Sequence, residues 1–470
     1  MKLYEIIKEY FISHKDDIIE DFSRMLAVPS PLAKAEKDAP NGIYTKRMLE
    51  VAVQMFREKG FDANISEDNL YALVKYGEGE KSIGLFSHGD VVPVDDKWIM
   101  TEPFSPKVIN GRMFARGACD NKNAIIFGLW LMRGLDELGI KMKNSLTLFI
   151  GSNEEAGMND IEAFAQNEKM PELCIVPDNN YPVSLGEKGR SAVYCRAKKA
   201  FSDIKNIFGG EAENILLGEV FACIRYSDAL YTEILEKADD RYAVSVVGDE
   251  LCVVAKGLSA HAAHPEKGKN AMAILCELLC NCKQLCASDR EILSGAQKLL
   301  ATHNAESFGS FCEDGSFGKS TCANGKVSTP DGHLTLSFDI RYGIGLSPET
   351  LRSNIEKTLA PIGYAISSFD GSESFEIPRE SAHAQALLKA YRDITGEATA
   401  DFYYSGGGTY AKHLENAFSI GMSRGKADDY DDLPAGHGSE HQPDEFINID
   451  GLIDAMAINS AMIFSCDEIL

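Results

Sequence analysis

Between Lys81 and Asn180 short apolar, β-rich runs alternate with helical stretches: SIGLFSHGD, NAIIFGLWLMRGLDELG, SLTLFIGSNEE and ELCIVPDNN. Strands alternating with helices predict an α/β layer, a largely parallel central sheet with helices on both faces. In such sheets the polar residues just past the strands gather along one edge. Here they are His88 and Asp90, Glu154 and Glu155, and Asp178, while Asp120 lies in the loop opening the intervening helix. From about Ser191 to Glu376 the pattern changes to β segments such as YAVSVVGDELCVVAKG and HLTLSFDIRYG, with helices such as KNAMAILCELLCNCKQLC between them. This reads as an inserted α+β domain over 191–377, flanked by the two parts of the first domain, 1–190 and 378–470. Within the insert, residues 307–327 are rich in Gly, Ser and Cys and read as a loop or irregular insert. After it, ESAHAQALLKAYRDITG reads as a helix, AFSIGM as a strand and INIDGLIDAMAINSAMIFSC as a terminal helix.

Length and charge narrow the classes. At 470 residues the chain has room for two or three compact units. Lys and Arg number 47 against 71 Asp and Glu, a formal charge of −24. A surface that negative repels phosphate backbones and anionic lipid, so neither nucleic acid nor a membrane surface is expected as a partner. The longest strongly apolar stretch, around Ile125 to Met132, falls short of the roughly 18 residues a bilayer span needs, and no membrane-crossing helix is expected. The N-terminal MKLYEIIKEYFISHKDDIIEDF mixes charges through its apolar positions and reads as an amphipathic helix, with cytoplasm as the expected compartment. Twelve cysteines are scattered singly, except for Cys276, Cys280, Cys282 and Cys286, which lack C-x-x-C knuckles; reduced thiols are expected.

Each strand-exit residue has an ordinary reading as well as a chemical one. His88, followed two residues later by Asp90, suits a metal-ligand imidazole whose tautomer a carboxylate fixes, or a plain core histidine. Asp120 suits a ligand or a helix N-cap. Adjacent Glu154 and Glu155 repel unless a cation or a shared proton compensates them, or unless they sit in a solvated loop. Taken with Asp178, His437 and His441, the inventory is imidazole and carboxylate without thiolate, which suits Zn²⁺ or Mn²⁺. A two-metal site needs a bridging carboxylate and a further carboxylate free to take a proton.

The ordered series SHGDVVPV, ARGACDNKN, SNEEAG, VPDNNYP, GLSAHAAHPEKGKNA, DIRYG, SGGGTYAK and EHQPDEF resembles the M20 family of di-metal peptidases, in particular the dipeptidase branch typified by PepV and Sapep. The resemblance covers nearly the whole chain. It implies an α/β catalytic domain interrupted by a lid domain, and two divalent metal ions around an activated hydroxide that cleaves dipeptides or short peptides. Residue by residue, it implies His88 and Asp178 as terminal ligands of one metal, and Glu155 and His441 as those of the other. Asp120 matches the bridging carboxylate, in a loop where the family holds a cis peptide. Asp90 matches the partner of His88, and Glu154 the general base. In the lid, His261 matches the histidine that stabilises the oxyanion, Asn214 a residue assisting it, and Arg341 the clamp on the substrate carboxylate. Gly406, Gly407, Gly408 and Thr409 resemble the family's substrate loop.

Asn121 and Asn123 depart from the family's usual residues around Lys122. Of the two C-terminal histidines, His441 is chosen because it alone precedes the Q-P-D-E run. The serious alternative is an N-acyl-amino-acid deacylase of the same family. A serine hydrolase has one formal signal, the G-x-S-x-G match at Gly421 to Gly425 with Asp432 and His437 following, but the acidic, loop-like KADDYDDLPAG stands where a nucleophile elbow needs a helix. A non-catalytic metal-binding scaffold would need a broken catalytic set, and none is broken. A monomer is expected, with a dimer as the alternative.

Overall fold

A computed structural model describes residues 3–210 and 212–470. The chain divides into two compact units, Met1–Gly186 with Ile377–Tyr403 and Thr409–Leu470, and Glu187–Glu376 with Tyr404–Gly408.

The first unit is built on a mixed sheet. Its strands run in the order Asp62–Ile65, Tyr71–Tyr76, Ser145–Gly151, Ser82–His88, Leu173–Asn179, Ala417–Gly421 and Ser184–Glu187. The middle four are mutually parallel, and antiparallel pairs close both sides. Along Ser145–Gly151 the side chains alternate between faces, as a pleat requires. Leu148 lies against the helix Lys122–Leu138, where a Cβ on Gly128 would come within 2.7 Å of it. Phe149 faces the other way, with its ring 5.3 Å from Phe164 of the helix Asn159–Asn167 and 5.4 Å from Tyr410. Helices therefore cover both faces.

The helix Lys122–Leu138 buries most of its length and stops at Gly139, which adopts φ 65°, a left-handed cap that glycine takes without a Cβ penalty. The N-terminal segment forms two helices, Leu3–Ser13 and Lys15–Leu26, rather than one, with His14 between them. The terminal helix Ile449–Asp467 starts on Asn448, whose side chain accepts from Gly451 N. By length and composition this helix could cross a bilayer, which corrects the expectation that none could; 78% of its most apolar window is buried inside the protein, as in a core helix.

The second unit carries two four-stranded antiparallel sheets. One runs Ile204–Phe208, Glu219–Arg225, Glu250–Lys256, Tyr242–Val247; the other runs Thr321–Ser328, Thr335–Tyr342, Gly189–Ala197, Tyr364–Ser372. Leu275, Leu293 and Leu351 from three helices join Ile224, Leu251 and Phe338 from the sheets in one core. The irregular reading of 307–327 is overturned at its end, where Thr321–Ser328 is an eight-residue strand. Its Asn and Gly disguise it: the register shifts between Asn324 and Val327, and the Asn324 amide donates to Lys326 O and Ser337 O across the irregularity. All twelve cysteines are free thiols.

Candidate metal centre

Five segments of the first unit, strand ends and the loops beside them, bring seven of the sequence-derived residues together. His88 ends its strand and is fully buried. Its Nε2 stands 2.9 Å from Asp120 Oδ1 and 3.5 Å from Asp178 Oδ2. Its Nδ1 lies 3.0 Å from the main-chain oxygen of Asp90 and 3.4 Å from that residue's Oδ1. The second oxygen of Asp120 faces the other histidine, with His441 Nε2 2.9 Å from Oδ2, and His441 is 3.0 Å from Glu155 Oε2. Ligand atoms of His88, Asp120 and Glu155 fall within 4.8 Å of one another, as do those of His88, Glu154 and Asp178. The His441 side chain is 43% exposed while those of His88, Asp120, Asp178 and Glu155 are 16% or less, so the cluster opens at that end.

Backbone groups hold these side chains in place. The two oxygens of buried Asp90 each accept one amide, from Glu154 N and Glu155 N, both at 3.1 Å. The strand before that pair ends on Gly151, where a Cβ would lie 1.9 Å from Tyr410 Oη and 2.5 Å from Asp160 Oδ2. Only glycine leaves room for Asp160 to accept from Ser152 N and Asn153 N and from the Tyr410 hydroxyl. Asp120 is not the N-cap of the following helix: Asn121 occupies that position without a side-chain cap bond, and the Asp120–Asn121 peptide is cis. The Asn121 amide instead donates to Pro177 O and to Asp178 Oδ1, and so orients a carboxylate of the cluster. Asn123 stays local, donating to Cys119 O.

Sequence reasoning missed Glu445. It is fully buried; one of its oxygens accepts from Cys119 N and Asp120 N, the other from Gly117 N and from Arg116 Nη1 at 2.7 Å. It thereby fixes the loop that carries Asp120. The only sequence signal was its place in the EHQPDEF run. His441 itself sits at φ 63°, a left-handed position that histidine tolerates better than most residues. His437 is held elsewhere, 2.6 Å from Asp444 Oδ2.

The electrostatics follow from crowding. Burial opposes charge on His88, but Asp120, Asp178 and Asp90 together hold its imidazolium well above the usual pKa. Burial likewise opposes His441, which Asp120 and Glu155 raise to about 11. Glu154 is pushed well up, by burial first and then by Asp178, Glu155 and Asp120 despite His88. Burial and Asp120 push Glu155 up to about 7. Asp120 alone is held down, because the two imidazoles outweigh its burial. Cys119 is no thiolate donor, since burial and Glu445 raise its thiol far above neutrality. Crowded carboxylates with two imidazoles and no thiolate are the chemistry of a site for hard-to-borderline divalent cations, and the residues fit a pair of them.

The remaining predicted residues, Thr409 apart, form two groups in the second unit. Asn214 and His261 lie on adjacent backbones: Ile215 bridges to His261 and Ala262 N donates to Asn214 O at 2.9 Å. Arg341 is buried, with Nε 3.0 Å from Asp339 and Nη1 donating to Gly406 O at 2.8 Å, so it steadies the Gly406, Gly407, Gly408 turn. Thr409, in the first unit, caps the short helix that follows it by accepting from Ala411 N. The serine-hydrolase alternative fails: residues 422–426 after the strand are coil, Asp432 pairs with Arg112, and His437 faces Asp444.

Residues 84–465 match the model of peptidase family M20/M25/M40. The protein named "Putative dipeptidase YtjP" of Bacillus subtilis (strain 168) is 26% identical over 470 residues, covering 96% of this chain and 98% of that one. A protein of Staphylococcus saprophyticus, likewise named a putative dipeptidase, is 26% identical with 96% of each chain covered. Among solved structures, human carnosine dipeptidase 1 superposes with a TM-score of 0.61 at 16% identity over 99% of this chain and 100% of that one. Dug1p, a dipeptidase of Saccharomyces cerevisiae, gives 0.61 at 14% identity over 99% of both. These structures share the fold.

Proposed function

The chain belongs to peptidase family M20/M25/M40, and from that premise we propose that it is a dipeptidase working with two divalent cations, zinc or manganese. His88 and Asp178 would hold one, Glu155 and His441 the other, and Asp120 both. When bound, the cations supply positive charge that polarises a peptide carbonyl and acidifies water. The observation that carries the reading is the placement of Asp120, with each carboxylate oxygen 2.9 Å from a different imidazole. Asp90 holds the glutamate pair by its amides. Glu154, half-buried beside the ligands, receives the proton of the attacking water and returns it to the leaving amine. His261 and Asn214 support the charge that develops on the carbonyl oxygen. Arg341 and the turn of Gly406, Gly407, Gly408 and Thr409 receive the free carboxylate of a dipeptide. A monomer acting in the cytoplasm, with 191–377 as lid, completes the reading.

The test is dialysis against a chelator, add-back of Zn²⁺ or Mn²⁺, and parallel assay of dipeptides and N-acyl amino acids. Activity on dipeptides should vanish and return with metal. Glu154→Gln should keep both metal equivalents and lose roughly 10²–10⁴ in turnover. Turnover that survives metal removal, or full activity in Glu154→Gln, rejects the mechanism; preference for acyl amino acids moves the substrate class to the deacylases.

A further inference from the structure

The four-stranded sheet of the second unit that begins with Ile204–Phe208 has one covered and one open face. Val220, Ala222 and Ile224 on one central strand and Leu251, Val253 and Ala255 on the other point into the core and are buried. By the two-residue alternation of a strand, Phe221, Cys223, Cys252 and Val254 point the opposite way, and all four are half-buried. The Phe208 and Phe221 rings stack on this face at 5.2 Å.

Cys223 and Cys252 are direct register partners across the two central strands. Among the described residues they are the only cysteines paired in this way. The hydrogen bonds at the two ends of the ladder fix the kind of pair. Gly257 N donates to Gly218 O at one end and Tyr226 N to Asp249 O at the other. Bonded and non-bonded pairs alternate in an antiparallel ladder. Counting inward from either end, Cys223 and Cys252 fall on a non-hydrogen-bonded pair. Such pairs bring Cα atoms to about 4.5 Å with side chains leaning together, at the short end of the range of about 4.4–6.8 Å that a disulfide spans. We propose that Cys223 and Cys252 form a reversible dithiol–disulfide site, modified by low-molecular-weight disulfides of the glutathione type.

The exchange balances. The thiolate of one cysteine attacks a sulfur of the small disulfide; its S–S bond breaks and one small thiolate leaves. The second cysteine, as thiolate, attacks the protein sulfur of the mixed disulfide and expels the other small thiolate. The two protons lost by the cysteines end on the two small thiols; the protein is oxidised by two electrons and the small disulfide reduced by two. Partial exposure admits the reagent, and a partly exposed pair of this kind belongs with the labile disulfides rather than the buried structural ones. Burial, and after it the neighbouring Cys252, raise the Cys223 thiol, so exchange quickens as pH rises above neutrality.

The full-length protein is incubated in oxidised glutathione, quenched with an alkylating agent, digested and analysed by mass spectrometry, with and without subsequent dithiothreitol. The expected result is a Cys223–Cys252 cross-linked peptide, lighter by two hydrogen atoms than the reduced pair and abolished by dithiothreitol. Cys223→Ser and Cys252→Ser, each verified as folded by circular dichroism, should lose the cross-link, and the remaining cysteine should carry glutathione instead. Independent alkylation of both cysteines in oxidised buffer overturns the proposal. So does wild-type protein carrying glutathione on both residues without a cross-link, or either residue cross-linked to a different cysteine.

Discussion

Replacing Glu445 by alanine tests the claim that one buried carboxylate fixes the loop of Asp120. The wild-type side chain accepts three amides, from Gly117, Cys119 and Asp120, and a 2.7 Å bond from Arg116 Nη1. Both members of the ion pair are buried, at 3% and 1% side-chain exposure. Removing one partner of such a pair costs about 3–5 kcal/mol, because it leaves an uncompensated charge in the interior. The amides add less, since water can enter the space vacated and satisfy them. At about 2 °C per kcal/mol for a unit this large, Tm should fall by about 6–10 °C. Loss of an anchor of this kind weakens metal binding by about 10–100-fold. Scanning calorimetry of the chelated protein reads the first effect and isothermal titration with Zn²⁺ the second. Glu445→Gln, which keeps one acceptor oxygen, should fall between wild type and alanine in both. A Glu445→Ala protein with wild-type Tm and wild-type zinc affinity would refute the reasoning.

Two further outcomes are expected. Burial works against the Asp339 carboxylate, but Arg341 and Arg190 hold it below the ordinary range; its contribution to stability is therefore complete above the unfolded value of about 3.9 and is lost as pH falls through the lower folded value. Urea unfolding should show this acid-side loss in wild type and less of it in Asp339→Asn, and equal slopes in the two would remove the ion pair from the account. Gly151→Ala should destabilise by about 1–3 kcal/mol through overpacking and lower turnover, because the added carbon collides with Tyr410 and Asp160 and displaces the strand exit that leads to Glu154; unchanged melting and rate would show that the exit has slack.

Much of this centre was legible in the sequence because its side chains sit at strand ends, where a run such as SIGLFSH or SLTLFIG breaks from apolar to acidic or imidazole. The edge of an α/β sheet then gathers them without further instruction. Glu445 and Asn121 were not legible in their roles, since both act through main-chain groups distant in sequence: Glu445 accepts amides more than three hundred positions away, and Asn121 donates to Pro177 O. Local pattern carries no trace of such a bond. The strand Thr321–Ser328 was hidden for a different reason, its Ala-Asn-Gly-Lys centre having the composition of a turn while tertiary pairing keeps it extended. His14 divides the N-terminal helix within the polar run Ser13 to Asp17, whose composition is equally that of a helix's solvent face.

Asp90 ties two strand tips that are 63 positions apart, its main-chain oxygen on the His88 ring and its carboxylate on the amides after Gly151. The tips are fastened to each other at that end and cannot be redesigned separately. An engineer who grafts a new loop after His88 alone will also release the glutamates of the neighbouring strand, so any transplant of this chemistry must carry both ends across as one cassette.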